Sequence, residues 1–191
     1  MKNQLNRRIF VRTSALAGAG LAFTGGLAPA SPTSNFSKGT RIGIIGLDTS
    51  HCIAFTKTLN AADAGDVWSG YKVVAAYPTA GSSDIPASIN RIEGFTGQVK
   101  QQGVEIVSSI DELLEKVDVV LLETVDGRKH LEQALPVIKA GKRMFIDKPI
   151  AASLADTVAI FNTAKQHDVP VFSSSSVRYI TGGGYLWSGR Y

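Results

Sequence analysis

A lysine between an aspartate and a proline is the first group in this sequence that could take part in a reaction. Asp147 ends a predicted buried strand over residues 142–147, and Lys148-Pro149 follows it directly. Ligands of parallel sheets bind at the carboxyl ends of the strands, so the ammonium would lie in a binding crevice beside a carboxylate that positions it. Such a lysine can hydrogen-bond a substrate hydroxyl and share its proton during hydride transfer. A Lys-Pro pair on its own more often marks a turn.

The turn after the first predicted strand is a candidate dinucleotide site. The dinucleotide fingerprint, G-x-G-x-x-G, lets the backbone approach a pyrophosphate at a helix N-terminus. This chain has the first glycine, Gly46, but Asp48 and His51 occupy the positions of the second and third. A carboxylate at position 48 disfavours phosphate, whereas Thr49, Ser50 and a protonated His51 would supply hydrogen-bond donors. An equally weighted interpretation makes Asp48 or Thr49 the N-cap of the next helix and nothing more.

The end of the second predicted strand lacks the acidic residue that takes the adenosine ribose hydroxyls in dinucleotide sites. The strand ends at Tyr77, and the first carboxylate after it is Asp84. Ser82 and Ser83 are weak substitutes for such an acid. We therefore expect residues 78–88 to form a plain surface loop that does not bind the ribose.

The segment after the fourth predicted strand is a further candidate, because it lies where ligands of such sheets bind. Asp126 can cap the helix that carries His130, and His130 could contact a ligand. The alternative interpretation is that Arg128 and Lys129 form a solvated first turn and that His130 is a surface residue.

Alternating strand and helix patterns predict the elements that would bring these residues together. Strands are expected at residues 41–46, 71–77, 104–107, 118–123, 142–147 and 169–173, and helices at 50–62, 90–102, 109–117, 128–140 and 153–167. Ser109 with Glu112 and Ser153 with Asp156 form capping boxes for two of the helices. Apolar strands that alternate with helices predict a doubly wound parallel sheet of six strands, a Rossmann-type α/β domain over residues 41–176.

The first 30 residues predict an export signal. Arg7 and Arg8 are followed by Phe10, which resembles the twin-arginine signal, and a mild apolar stretch ends in the A-P-A site at residues 28–30. That stretch is too short and too weakly apolar to predict a stable membrane anchor. We expect the chain to pass through the twin-arginine export machinery to the periplasm or beyond, the alternatives being an uncleaved anchor or a chance basic N-terminus. Residues 31–40 read as a polar linker, and residues 177–191 as an irregular tail.

The charge distribution argues against nucleic-acid binding. The formal net charge is +4, but residues 1–30 hold four basic residues and no acid, and the remaining 16 basic and 16 acidic residues balance. A single cysteine, Cys52, excludes an intrachain disulfide. The sequence indicates no metal site, and it leaves the formation of a homo-oligomer open.

Taken together, these segments resemble the N-terminal domain of the Gfo/Idh/MocA oxidoreductases. The family pattern A-G-K-x-V-x-x-E-K-P-x-A is matched at residues 141–151, with Asp147 in place of the usual glutamate. His130 matches the histidine of the family's T-P-N-x-x-H segment, while residues 125–127 depart from T-P-N. The resemblance covers residues 41–178 and implies a domain that binds NAD or NADP. It implies that Lys148 contacts the nicotinamide and a sugar or polyol substrate.

The resemblance therefore gives the candidate residues their expected roles. Lys148 and His130 are the catalytic candidates. The cofactor-binding candidates are Gly46, Asp48, Thr49, Ser50, His51, Asp126, Asp147, Lys148 and Pro149.

Length sets a limit on what this chain could do alone. Family members continue into a second α/β domain that supplies most substrate contacts, whereas little sequence follows the sixth predicted strand here. We expect that second domain to be missing, so that the chain is an enzyme only if a C-terminal domain completes it. Besides an oxidoreductase, two alternatives stay open: a glycosidase of the same superfamily that uses NAD transiently, and a non-catalytic binding module that has lost the cofactor.

Overall fold

The computed structural model describes residues 40–64 and 67–175 of the chain. The six strands are β1 (Arg41–Ile45), β2 (Lys72–Tyr77), β3 (Glu105–Ile106), β4 (Val119–Leu122), β5 (Arg143–Ile146) and β6 (Val171–Ser173). The five α-helices are α1 (Ser50–Leu59), α2 (Pro86–Gln101), α3 (Ile110–Lys116), α4 (His130–Lys139) and α5 (Leu154–Gln166), and a 3-10 turn at Gly127–Lys129 precedes α4. The expected leader, nearly all of the linker and the tail after residue 176 lie outside the described residues.

All six strands pair in parallel in one sheet, in the order β3-β2-β1-β4-β5-β6. The chain winds outward from β1 to β3 and then crosses to β4, so the loops on either side of the β1–β4 boundary diverge and leave a crevice. Ile45 pairs with Leu122, and Leu122 pairs with Ile146. The residues that follow these three strands therefore meet at the crevice, and the predicted doubly wound sheet is confirmed.

The sheet is covered on both faces, because its apolar side chains alternate between two buried clusters. Ile45 and Leu122 belong to the cluster that includes side chains of α3, α4 and α5. Ile42 and Ile44 belong to the cluster that includes side chains of α1 and α2. Burial on both faces explains why the strands are continuous apolar runs. Cys52 is a free thiol in the second cluster, and burial raises its pKa to about 12.

Two helices begin two or more residues away from the expected position. The structure starts α2 at Pro86, within the expected loop 78–88, because proline suits the first helical position, where its missing N–H costs no hydrogen bond. The structure starts α4 at His130 instead of Arg128, because the Asp126 carboxylate accepts a hydrogen bond from the Arg128 amide and holds the 3-10 turn before the helix.

The N-caps of α3 and α5 follow the expected pattern with one difference. Ser109 Oγ accepts from the Glu112 amide at 3.1 Å, and Ser153 Oγ accepts from the Asp156 amide at 3.0 Å. The Glu112 carboxylate, however, accepts from the amide of Ser108 instead of that of Ser109. Among residues 40–64 and 67–175, no helix is long and apolar enough to cross a membrane.

Gly46 is required by the close approach of the β1 turn to the loop after β4. Its φ is +92°, and a Cβ at this position would lie 2.5 Å from the Thr124 amide nitrogen. Gly103 has a similar φ of +83° but nothing within 4 Å of a Cβ. The two glycines thus separate the effect of backbone conformation from that of close approach.

We expect Gly46→Ala to lower the free energy of unfolding by at least about 3 kcal/mol, because backbone strain and overpacking against another segment add. Gly103→Ala should cost about 1–2 kcal/mol, since only the conformational strain applies. Urea denaturation followed by circular dichroism measures both. Equal losses for the two variants would show that Thr124 does not set the requirement for glycine.

Candidate functional site

The carboxyl end of β5 holds the aspartate and lysine in a fixed geometry. The Asp147 amide donates to the Leu122 carbonyl at 2.9 Å, which anchors the residue to β4. Its carboxylate accepts from the Lys148 amide at 2.8 Å, and its other oxygen lies 2.5 Å from His51 Nδ1. Lys148 is exposed, and a cis peptide joins it to Pro149. The structure therefore brings together His51, Asp147 and Lys148, three of the residues that the sequence singles out.

A cavity of about 400 Å³ opens beside this group, between α1 and the ends of β5 and β6. Phe55 and Phe145 supply apolar walls, and His51, Asp147 and Lys148 supply the polar ones. The Ser174 and Ser175 side chains complete the lining, and Ser174 Oγ is buried with no hydrogen-bond partner. An apolar cleft with a few converging polar groups is the usual form of a small-molecule site.

Glu123, which sequence reasoning did not select, lies next to His51 and Asp147. Its carboxylate follows β4, is buried, and has no hydrogen-bond partner on either oxygen. Its Oε2 lies 4.0 Å from His51 Nδ1. The pKa of Glu123 is raised to about 8, chiefly by burial and also by the neighbouring Asp147 charge, while Lys148 opposes the change. A glutamate that directly ends the apolar run of β4 was the available sequence signal.

Asp48 turns into the protein and does not face a ligand. It is fully buried, and its carboxylate accepts from Ser88 Oγ at 2.5 Å and from the Val125 amide at 3.1 Å. The carboxylate thus ties the β1 turn to α2 and to the loop after β4. Thr49 is the N-cap of α1, accepting from the His51 amide at 3.3 Å. Of the two N-cap candidates, Thr49 is the one that caps α1, while Ser50 is exposed at the first helical position.

His130 is fully buried and bridges two loops. Its Nε2 lies 2.6 Å from the Thr124 carbonyl and its Nδ1 lies 3.0 Å from the Ile150 carbonyl. Both ring nitrogens are therefore in contact with backbone oxygens, and neither is free to contact a ligand. The interpretation of His130 as a surface residue is wrong, because the 3-10 turn before α4 directs the ring inward. The geometry points to a positioning role between the loops after β4 and β5.

A second cavity, of about 450 Å³, lies beyond the end of β2. Arg128 donates to both Asp84 and Asp126, and Ser82 donates to Asp126 at 2.5 Å. The Arg128 guanidinium holds the pKa of the Asp126 carboxyl well below its usual range, and Ser82 adds to the effect. Lys129 Nζ donates to the Gly81 carbonyl at 2.5 Å. The loop after β2 is therefore bound to the loop after β4. The prediction of a plain surface loop over residues 78–88 and the interpretation of Arg128 and Lys129 as a solvated first turn are both wrong.

Comparison with known proteins assigns this fold to one family. The family described as "Oxidoreductase family, NAD-binding Rossmann fold", Gfo/Idh/MocA, matches residues 40–175. The chain belongs to the Gfo/Idh/MocA family. An "Uncharacterized oxidoreductase" of Streptococcus pneumoniae serotype 4 is 28% identical over 85 residues, which are 44% of this chain and 23% of that protein.

Solved structures of Gfo/Idh/MocA-like fold agree with this membership. A "probable dehydrogenase" from Thermotoga maritima is 26% identical with a TM-score of 0.56, over 73% of this chain and 37% of that one. UDP-N-acetylglucosamine 3-dehydrogenase from Acidithiobacillus ferrooxidans shares the fold at 18% identity and a TM-score of 0.56, over 77% of this chain and 40% of that one. The chain thus spans two-fifths or less of the length of these relatives.

The residues of this Gfo/Idh/MocA domain fit one end of a dinucleotide better than its middle. At the ends of β4 and β6, the buried hydroxyls of Thr124 and Ser174 lack partners and could pair with a carboxamide such as that of nicotinamide, and Lys148 offers a further donor at the cavity. At the β1 turn, the space that a Cβ on Gly46 would take is filled by Thr124, and Asp48 is directed into the protein. The turn therefore offers phosphate the amides at the start of α1 and not a glycine cradle.

We expect Asp126→Asn to lower the free energy of unfolding by about 1–3 kcal/mol at pH 7, because Arg128 and Ser82 lose the charge of a buried carboxylate. The pKa of Asp126 is lowered by folding, so its contribution is fully present above the ordinary aspartate value near pH 4. The contribution is lost as the pH falls through the lower, folded-state value. The difference from wild type should thus shrink below about pH 4.

Chemical denaturation between pH 3 and pH 7 measures this dependence. The matched control is Glu105→Gln, which removes the carboxylate of the more exposed pair with Lys116 and should cost less than about 1 kcal/mol. A loss at Asp126 no larger than the loss at Glu105, or one that does not change with pH, would contradict the assignment.

Proposed function

We propose that this chain is the nucleotide-binding part of an exported oxidoreductase that uses NAD or NADP and acts on a sugar or polyol. The observation that carries the proposal is the placement of Lys148, fixed through Asp147, at a cavity beside the carboxyl ends of β5 and β6. That place is where the ligands of doubly wound sheets bind. Gfo/Idh/MocA membership supports the cofactor class, and the sugar 3-dehydrogenase of similar fold supports a hydroxyl-bearing substrate.

The side chains around the cavity suit a polyhydroxylated ligand. The Lys148 ammonium can donate to the oxygen of a substrate hydroxyl and stabilise negative charge that develops on it. Ser174 Oγ, buried without a partner, can pair with a second hydroxyl. Phe55 and Phe145 can cover the apolar face of a sugar ring and exclude water. A bound nicotinamide would supply the acceptor or donor of hydride.

A non-catalytic binding module is the second candidate function, and Asp48 is the observation that favours it. Its carboxylate, bound to Ser88 and to the Val125 amide, takes the place where the dinucleotide fingerprint has its second glycine. A domain in which protein groups replace the phosphate cradle would keep the fold without the nucleotide. Nucleotide that stays bound to the chain during purification would exclude this candidate.

Thermal denaturation of the full chain with NAD, NADH, NADP and NADPH tests the oxidoreductase proposal. At a concentration 100-fold above Kd, a nucleotide that binds the folded chain should raise Tm by about 5–10 °C. Lys148→Ala should reduce the shift, because it removes a contact to the nicotinamide end. Lys165→Ala, an exposed lysine in the last turn of α5, should leave it unchanged. The absence of any shift with all four nucleotides would overturn the cofactor proposal.

The export part of the proposal rests on the arginine pair in the leader. Replacing Arg7 and Arg8 together with lysine should retain the chain in the cytoplasm, since lysine keeps the charge and loses the guanidinium geometry. Arg12→Lys lies outside the pair and is the control. Cell fractionation with immunodetection measures the distribution. An unchanged exported fraction in the double variant would rule out the twin-arginine route.

A further inference from the structure

Three potential metal ligands converge at the cavity, and the family assignment does not explain why they meet. They are His51 Nδ1, a carboxylate oxygen of Glu123 and a carboxylate oxygen of Asp147, and these atoms lie within 4.8 Å of one another. Each comes from a different segment: the start of α1, the end of β4 and the end of β5. Since β1, β4 and β5 are neighbours in the sheet, the backbone holds the three residues at fixed separations.

Glu123 shows that the group is incomplete without a further partner. Its side chain is buried, and neither of its oxygens has a hydrogen-bond partner. A buried polar group in this state is costly unless something pairs with it. The other two members already face it, with His51 Nδ1 at 4.0 Å from Glu123 Oε2. A cation placed among these atoms would give Glu123 the partner that the protein does not supply.

We infer that His51, Glu123 and Asp147 form a binding site for one divalent transition-metal ion of the zinc type. The donor set favours such an ion, because imidazole nitrogen suits Zn²⁺ and disfavours Mg²⁺ and Ca²⁺, which take oxygen ligands. A Zn²⁺ ion with two carboxylates and one neutral imidazole has no net charge, so the burial of the acids would be compensated. This inference goes beyond the proposed function and does not depend on nucleotide binding.

Small side-chain movements would suffice to form the site. Zinc bonds to nitrogen and oxygen are about 2.0–2.2 Å, so ligand atoms in a tetrahedral site lie about 3.3 Å apart. His51 Nδ1 and Asp147 Oδ2, now at 2.5 Å, would separate slightly, while Nδ1 and Glu123 Oε2, now at 4.0 Å, would approach. The ion binds Nδ1 and both carboxylates in their deprotonated forms, so the protons that these three groups hold leave to solvent as it binds. Asp147 keeps its second oxygen on the Lys148 amide, which holds its orientation.

The fourth coordination position would face the cavity. His51 and Asp147 line that cavity, whereas Glu123 is buried and is not among the lining residues, so the open side of the site faces the space beside Lys148. Three protein ligands with one open position is the arrangement of catalytic zinc sites rather than structural ones. The open position would take water or the hydroxyl or carbonyl oxygen of a small ligand.

Zinc titration of the chelator-treated full chain, by isothermal calorimetry and by metal analysis after dialysis, tests the site. We expect one equivalent of Zn²⁺ to bind and Mg²⁺ not to displace it. Co²⁺ in place of Zn²⁺ should give the visible absorption of a four-coordinate ion. Glu123→Gln and His51→Gln should each weaken Zn²⁺ binding by more than about 100-fold, because losing even an outer-shell partner costs about 10–100-fold.

His167→Gln is the matched control for binding to surface histidines. His167 is exposed at the end of α5, and its replacement should leave the affinity for Zn²⁺ unchanged. His51 is half-exposed, so His51→Gln tests the site even where Glu123→Gln fails to fold. Wild type that binds no Zn²⁺, or binding that His51→Gln and His167→Gln weaken equally, would overturn the inference. The zinc titration contains no nucleotide, so a failure of the metal inference does not bear on the nucleotide-binding proposal, which thermal denaturation tests separately.

Discussion

The architecture of this site depends on four carboxylates that are buried at the carboxyl ends of the parallel strands. Asp48, Glu123, Asp126 and Asp147 all follow or adjoin the carboxyl ends of strands, and all are buried. A buried charge must be paired or hydrogen-bonded, because its desolvation is otherwise too costly. Asp48, Asp126 and Asp147 each have a partner in another loop or helix, so satisfying these three carboxylates also connects the segments that surround the crevice.

The four carboxylates have different roles, and their hydrogen-bond partners show which role each has. Asp48 joins the β1 turn to α2 and to the loop after β4, and Asp126 joins the loops after β2 and β4. Both have their donors within the protein, so their effect is to fix loops. Asp147 has protein donors but also lines a cavity, and Glu123 has no hydrogen-bonding partner among the described residues. The capacity to bind a ligand is therefore concentrated at the ends of β4 and β5.

The sequence was sufficient for the fold because the signals for it are local. Apolar runs of four to six residues with helices between them predict a parallel sheet whatever their partners are, and the strands were found where those runs lie. The place of Lys148 followed from the same argument, since a residue after a strand of such a sheet must lie at its carboxyl edge. The differences arose where distant side chains decide the outcome. The inward turn of His130 depends on the Thr124 and Ile150 carbonyls, and the ordered loop after β2 depends on Asp126 and Arg128.

Asp48 shows the same limit within a single motif. At the second-glycine position, sequence alone allows a carboxylate to face either phosphate or the protein, because the choice depends on donors that lie far away in the chain. The structure supplies them from residues 40 and 77 positions later, Ser88 and Val125. Once both oxygens are bound, the carboxylate cannot turn toward a ligand without leaving the Ser88 hydroxyl and the Val125 amide unpaired, which costs about 1–3 kcal/mol for a buried donor. The broken fingerprint is thus a stable feature of the fold, and nucleotide that binds here must do so with Asp48 held in the protein.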